Sequence, residues 1–411
     1  GTSDSNQLWL DVAVYDGERL IGRSGGMDPE GRVDPWSYFV NAYVLDREGQ
    51  RINRRNGQDI FVPLYDHQIP PGAADVVHYR MTLPDNIVGP VSIEVRLKYR
   101  KFDTEYLRHI QGKKFNGNRL PVTTMASDRI VLPVVNGLTI DTDTGSTIPE
   151  WERWNDYGIG LLREGNSGSS KGELRQAEQV FKRVEAINPG QGALNLARVY
   201  FKEGRLDEAS AAIHRASQTT PPAPPWTLAW FSARIDHENG HLDNAIESLE
   251  RIYDNQFETA AARGFDFSYD TNLLNELGRI NFERARMERG KKRRQQREGF
   301  LQTSLRWFTR TLKIDPENPP AHYNLALVYA ELDKPELASH HRQQHDLFRP
   351  DDHAIEIAVT RHRQNNPAAD HAAAPFVIYD LNRPQAYGNN GDISPQAPES
   401  APLTRNELTR P

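Results

Sequence analysis

Residues 193–221 constrain the fold of this chain more than any other stretch. They read as two short amphipathic helices joined at Gly204. Leu196, Ala197 and Tyr200 share a face of the first helix, and Ala209, Ile213 and Ala216 share a face of the second. Pro221 stops the second helix. Small residues fall where two helices must approach closely, and large ones fill the space between them. A helix pair of this kind, repeated about every 34 residues, is the tetratricopeptide (TPR) pattern.

The pattern recurs on both sides. Upstream, Trp154, Tyr157, Gly158 and Leu161 mark a first helix, and Ala177, Phe181, Val184 and Pro189 its partner. Downstream, Trp230, Ala233, Gly240, Ala245, Leu249 and Ile252 repeat the scheme. A fourth unit carries Leu277-Gly278, then Ser304, Phe308, Thr311 and Pro316; a fifth carries Tyr323, Leu325, Ala326, Tyr329, Ala338 and Pro350. Flexible or charged insertions are read at 166–172 and 288–297. Five pairs exceed the roughly three needed for a stable stack, and a helix near 351–364 is expected to cap it.

A chain of 411 residues is too long for one core. We assign a β-sandwich to 1–140, a polar linker to 141–150, a helical TPR solenoid to 151–366 and a Pro-rich extended tail to 367–411. The β assignment rests on alternation. Val91, Ile93, Val95, Leu97 and Tyr99 face one way, while Ser92, Glu94, Arg96, Lys98 and Arg100 face the other. Residues 7–15 alternate likewise, and 38–45, 60–64 and 129–135 read as further strands. The run 75–83 is expected to pair with 90–100. Phe102, Tyr106 and Ile110 align on one short helix, read as a lid on the sheet. In the tail, the apolar segment 376–381 is expected to add as a strand, either to an edge of the β domain or to a neighbour.

A net charge of −6 argues against non-specific binding to nucleic acid. No run approaches 18 apolar residues, so no membrane span is expected. The polar start lacks an apolar signal region, which implies that a secretory signal was removed or never existed. Cysteine is absent, which rules out disulfides, cysteine-ligated metals, a cysteine nucleophile and covalently attached haem within these residues.

In a TPR stack the first helix of each pair lines the groove. Polar residues there that the core does not need are the candidate partner contacts: Asn155, Asn195, Arg198, Arg234, Asn281 and Asn324. The basic run Lys291–Arg297 is read as a solvated loop partly neutralised by Glu288 and Glu298. His340, His341, His345 and His353 cluster, but without a third defined ligand they do not specify a metal site. In the β region Asp28, Glu30 and Asp34 are a candidate Ca²⁺ set that lacks EF-hand spacing. Asp66-His67 is a pair without an identifiable nucleophile.

The runs Ser24-Gly25-Gly26-Met27-Asp28, Leu64-Tyr65-Asp66-His67-Gln68-Ile69-Pro70-Pro71-Gly72-Ala73 and Leu97-Lys98-Tyr99-Arg100-Lys101-Phe102-Asp103 support a more specific reading. Together with the repeats they resemble the haem-free C-terminal half of bacterial multihaem c-type cytochromes that end in TPR repeats. The resemblance implies a periplasmic or extracellular protein concerned with electron transfer. No Cys-x-x-Cys-His motif is present, so haem c is expected only on an associated or upstream polypeptide, and no cofactor is expected in this chain.

The leading expectation is a non-catalytic docking or assembly module. Its partner is a multihaem cytochrome or the chain's own haem-bearing portion, and an oligomer is compatible with the same sequence. The alternatives are a metal-dependent or hydrolytic enzyme in the β-domain loops, and a carbohydrate-binding β-sandwich with Trp9, Trp36 and Tyr38 as its platform.

Overall fold

The computed structural model describes residues 5–133, 147–165 and 171–388. Parts of the expected linker (141–146), of the first insertion (166–170) and of the tail (389–411) lie outside the described residues. The described chain opens with strands β1 (Gln7–Asp16), β2 (Arg19–Ser24), β3 (Ala42–Leu45), β4 (Val62–Asp66), β5 (His78–Arg80) and β6 (Val91–Arg100). Helix α1 (Thr104–Gln111) and strand β7 (Thr123–Leu132) follow. Then come α2 (Glu150–Glu164), α3 (Lys171–Ile187), α4 (Pro189–Lys202), α5 (Leu206–Ser217), α6 (Pro225–Glu238) and α7 (Leu242–Asp254). After α8 (Glu258–Ala261) the helices are α9 (Thr271–Met287), α10 (Arg294–Ile314), α11 (Pro319–Glu331) and α12 (Pro335–Phe348). The last elements are α13 (Asp352–Asn365), α14 (Pro367–Ala372) and β8 (Ile378–Asp380).

Contacts divide the chain into two units. One contains residues 1–71, 77–146 and 353–411; the other contains 72–76 and 147–352.

In the first unit β1 and β6 pair antiparallel over their whole length, from Gln7↔Arg100 to Asp16↔Val91. With β2 and β7 they form a four-stranded antiparallel sheet in the order β2-β1-β6-β7. Alternation sends Val12, Val14 and Val91 to one face, where they pack with Ile21 and Leu381. On the other face the fully buried Asp11 carboxylate is held by Arg23 and Lys98. A buried charge is tolerated only when it is paired in this way.

The antiparallel sheet appears as expected, but the partner expected for 90–100 is not the observed one. Both edges of β6 are taken by β1 and β7, and the three-residue β5 pairs in parallel with β8, from His78↔Ile378 to Arg80↔Asp380. The apolar tail segment therefore does add as a strand to the β region. Its Tyr379 is buried against Tyr38 and Val40. The helix expected to cap the repeats also makes its contacts here. Ala358 of α13 is fully buried, and a Cβ on Gly49 would stand 2.5 Å from its carbonyl. His362 Nε2 meets the Tyr43 hydroxyl at 3.0 Å, and its Nδ1 meets the Gly49 carbonyl at 2.8 Å.

In the second unit five helix pairs follow one another: α2/α3, α4/α5, α6/α7, α9/α10 and α11/α12, each packing on the next. The spacing explains why. Ala197 to Ala209, Ala233 to Ala245 and Ala326 to Ala338 are each twelve residues apart. All six are buried. In the first and fourth pairs glycine takes the first-helix position. An added Cβ at Gly158 would stand 2.5 Å from the Phe181 ring, and one at Gly278 would stand 2.6 Å from the Phe308 ring. Both rings are completely buried. The helices therefore approach as closely as their backbones permit, and a ring fills what the missing side chain leaves.

The second insertion is less of a loop than expected. Gly290 adopts a positive φ of 85°, and α10 already begins at Arg294. Two of the five cations of the basic run, Arg293 and Arg297, are paired within the unit. The nearly buried Glu288 carboxylate binds Arg284 and Arg293, the latter at 2.9 Å, and Arg297 binds Glu331. Glu331 thus takes the role expected of Glu298.

In the last pair the buried His322 of α11 faces His341 of α12, Nδ1 to Nδ1 at 2.9 Å. His322 Nε2 lies 3.0 Å from the Pro316 carbonyl, to which it donates, so its Nδ1 accepts from His341. Tyr329 stacks on the His341 ring at 5.4 Å. Burial, then the neighbouring His322 and His340, pull the His341 imidazole down to about 4.

Two outcomes follow from this packing. Gly278→Val should lower the unfolding free energy of the repeat unit by about 2–3 kcal/mol through overpacking against Phe308, read by urea denaturation; an unchanged midpoint would contradict the close approach. His341 is neutral in the fold down to about pH 4, whereas the unfolded chain takes up this proton near pH 6.5. Between these values the unfolded state binds more protons, so stability falls as pH falls. Relative to His341→Gln, the wild type should therefore lose about 2 kcal/mol from pH 7 to pH 4, measured by thermal unfolding at each pH. A difference between the two proteins that is constant with pH would refute it.

Candidate partner-binding face

The polar residues singled out on the first helices separate into two groups. Asn155 of α2 and Asn195 of α4 meet directly: Asn195 Nδ2 donates to Asn155 Oδ1 at 2.7 Å, and both are at least nine-tenths buried. Asn195 Oδ1 in turn accepts from Arg198 Nη1 at 3.2 Å. A buried amide pair that satisfies itself is affordable, and here its free carbonyl orients a guanidinium. Arg198 then lies 5.7 Å from the Phe231 ring centroid of α6. Arg234 of α6 lies 4.9 Å from Phe201 at the end of α4. The two rings contact edge to face at 6.4 Å. Each arginine thus rests on the aromatic ring supplied by the other's helix.

Among the described residues neither Arg198 nor Arg234 forms an ion pair. Burial pushes the Arg198 guanidinium below its ordinary value. Lys202, one turn further along α4, donates from Nζ to the Leu162 carbonyl at 3.0 Å. Burial, then the Arg198 charge, bring Lys202 down to about 8. Positive charge is therefore concentrated where α4 and α6 adjoin, and burial disfavours it at Arg198 and Lys202.

Further along, charge is balanced. Arg279 of α9 binds Glu283 at 3.0 Å and Glu276 at 2.5 Å, and His237 Nε2 meets Glu283 at 2.7 Å. His237, Glu276 and Arg279 line a small cleft with Trp230 and Arg234.

Asn281 and Asn324 do not join this group. Asn281 is 2% exposed and donates to the Leu277 carbonyl of its own helix at 2.8 Å. It follows Gly278 by three residues, the place occupied by Leu161 and Tyr200 in other pairs, so it faces the core. Asn324 donates to the Pro320 carbonyl of its own helix. Phe201, Lys202 and Phe231 were not anticipated. The i, i+3 and i+4 spacing of Arg198, Phe201 and Lys202 places them on one face of α4 and is the signal that could have found them.

The β-region candidates are separately engaged. Asp28 Oδ1 accepts from the Arg32 backbone at 2.8 Å. Glu30 binds Arg108 at 2.6 Å. Asp34 accepts from the Tyr387 backbone at 3.0 Å and from Arg383. Among the described residues no group of three or more histidines and carboxylates is placed to hold a metal ion. Asp66 accepts from the Gln68 backbone, while His67 stacks between Tyr65 and Tyr38. Trp9 is fully buried, its Nε1 donating to the Gly25 carbonyl at 3.0 Å, and Tyr38 is buried as well. They are core residues and offer no sugar-stacking platform.

No curated protein matches the chain. Similar solved structures include MamA (AMB-1), 17% identical, with 48% of this chain covered and 97% of that one, at a TM-score of 0.34. A MamA (RS-1) double mutant is 12% identical over 53% and 98%, at a TM-score of 0.36. YrrB, described as a TPR protein with an unusual peptide-binding site, is 18% identical over 52% and 94%, at a TM-score of 0.34. Two family models described as tetratricopeptide repeat match residues 170–230 and 307–338. The helical unit of this chain contains tetratricopeptide repeats.

Proposed function

We propose that the five helix pairs stack as a solenoid whose first helices line a docking groove for a protein partner. The partner segment is extended and acidic, and its carboxylates lie on Arg198 and Arg234. The observation that carries this reading is the pair of guanidiniums held over Phe231 and Phe201 without a carboxylate partner among the described residues. Arg is suited to such a role because its planar fork meets a carboxylate with two parallel hydrogen bonds. TPR units in general mediate protein–protein contacts, and neither the loops of the β region nor the repeats assemble an evident catalytic constellation among the described residues.

The sequence resemblance sharpens the partner. In this reading the module docks or scaffolds a multihaem c-type cytochrome, or a haem-bearing portion of the same polypeptide, in the periplasm or outside the cell. Electron transfer and haem c belong to that partner, and the chain described here is non-catalytic.

The test immobilises the protein, exposes it to the exported fraction of its native source and reads haem absorbance in the retained material. Wild type should retain a haem protein, and 0.5 M salt should weaken retention. A folded Arg198→Glu, Arg234→Glu variant should retain at least ten-fold less. No retained haem protein would refute the cytochrome partner; equal retention by the double variant would refute the groove.

A further inference from the structure

The β unit contains a cavity of about 450 Å³ that the docking function does not use. Its size lies within the range of small-molecule sites. Trp36, Phe39, Tyr43 and Tyr65 supply aromatic walls, and Arg51 and Asn41 supply polar groups. The walls are fixed from behind. The Tyr43 hydroxyl is held by His362 at 3.0 Å, and Tyr65 stacks on His67 at 4.4 Å. Burial raises the hydroxyls of both tyrosines above their ordinary values, so they stay neutral.

Most charged groups at the rim are committed. Arg32 pairs with Glu105 at 3.4 Å, and Asp103 accepts from the Tyr106 backbone at 2.6 Å as the N-cap of α1. Two groups are left over. The Arg51 guanidinium lies 4.5 Å over the Tyr43 ring and forms no ion pair among the described residues, the Asp103 and Glu105 carboxylates of the rim acting on its charge only from a distance. Asn41 is 8% exposed, and its Oδ1 is buried with no hydrogen-bond partner. A buried acceptor without a partner costs about 1–3 kcal/mol. A guanidinium stacked on a ring keeps its donor edge available.

We propose that this cavity binds a small planar organic acid that also carries a hydrogen-bond donor. Arg51 receives the carboxylate, the Asn41 carbonyl accepts from the donor, and the ring lies among the aromatic walls. Each requirement comes from a different feature: the charge from Arg51, the donor from Asn41, and the planar body from Trp36, Phe39, Tyr43 and Tyr65. A phosphate alone would satisfy Arg51 and leave both Asn41 and the walls unused.

The experiment titrates the full chain calorimetrically with 4-hydroxybenzoate, with benzoate, which lacks the donor, and with 4-hydroxybenzyl alcohol, which lacks the charge. Affinity should fall in that order, by about ten-fold or more from the first to the last. Arg51→Gln should weaken 4-hydroxybenzoate at least ten-fold and leave the alcohol unchanged. Asn41→Leu should erase the preference for 4-hydroxybenzoate over benzoate. Should either variant fail to fold, the wild-type ranking decides alone. No binding of 4-hydroxybenzoate at millimolar concentration, or equal binding of the neutral alcohol, would overturn the proposal.

Discussion

Everything in the helical unit depends on how closely the two helices of a pair can approach. A single Cβ at Gly158 or Gly278 would fall inside van der Waals contact of a fully buried phenylalanine. Alanine serves at Ala197, Ala233 and Ala326, and all three are buried. The contact fixes the separation within each pair, and that separation sets where the next pair can lie. The side chains of successive first helices then meet at distances short enough for hydrogen bonding, as Asn155 and Asn195 do. The polar ladder that orients Arg198 is thus a consequence of apolar packing.

The same logic divides the charges of the unit into two kinds. Glu178 accepts from Arg205 and Lys182, and these two cations hold its carboxyl down to about 2. Glu288 is similarly held by Arg284 and Arg293, and Glu283 by Arg279 and His237. Such groups knit neighbouring helices and leave little field behind them. Arg198 and Lys202 are different, because burial disfavours the charge of both and the Arg198 charge further disfavours that of Lys202. The two kinds differ in the direction of the shift.

The repeats were legible in the sequence because their cause is local: alanines twelve positions apart in three pairs, and a proline after four of the five second helices. The phase of that pattern also shows that Asn281 must face inward, since it stands where other pairs place Leu161 or Tyr200. Residue type alone suggested otherwise. In the β region, alternation identified the faces of 7–15 and 90–100, but a period of two says nothing about which strand lies alongside. The parallel pairing of β5 with β8 joins residues 300 positions apart, from His78 to Ile378, and no local signal encodes it. The apolar run at 376–381 announced a strand, and only the fold could say where it went. Nor could the cavity beside Arg51 be read in advance, because its walls come from Trp36, Tyr65 and residues beyond Asn365.

That long-range pairing has a bearing on the order in which the chain matures. Synthesis runs from the amino terminus, and domains ordinarily fold as they emerge. Every helix of the repeat unit has been made once Phe348 is complete. The β unit begins far earlier, yet Tyr379 and Leu381 belong to its core clusters. Its first strands must therefore wait through the synthesis of the whole helical unit before their core closes. The unit that starts first finishes last, and during that interval the face around Val12, Ile21 and Tyr38 is open to whatever apolar surface is at hand.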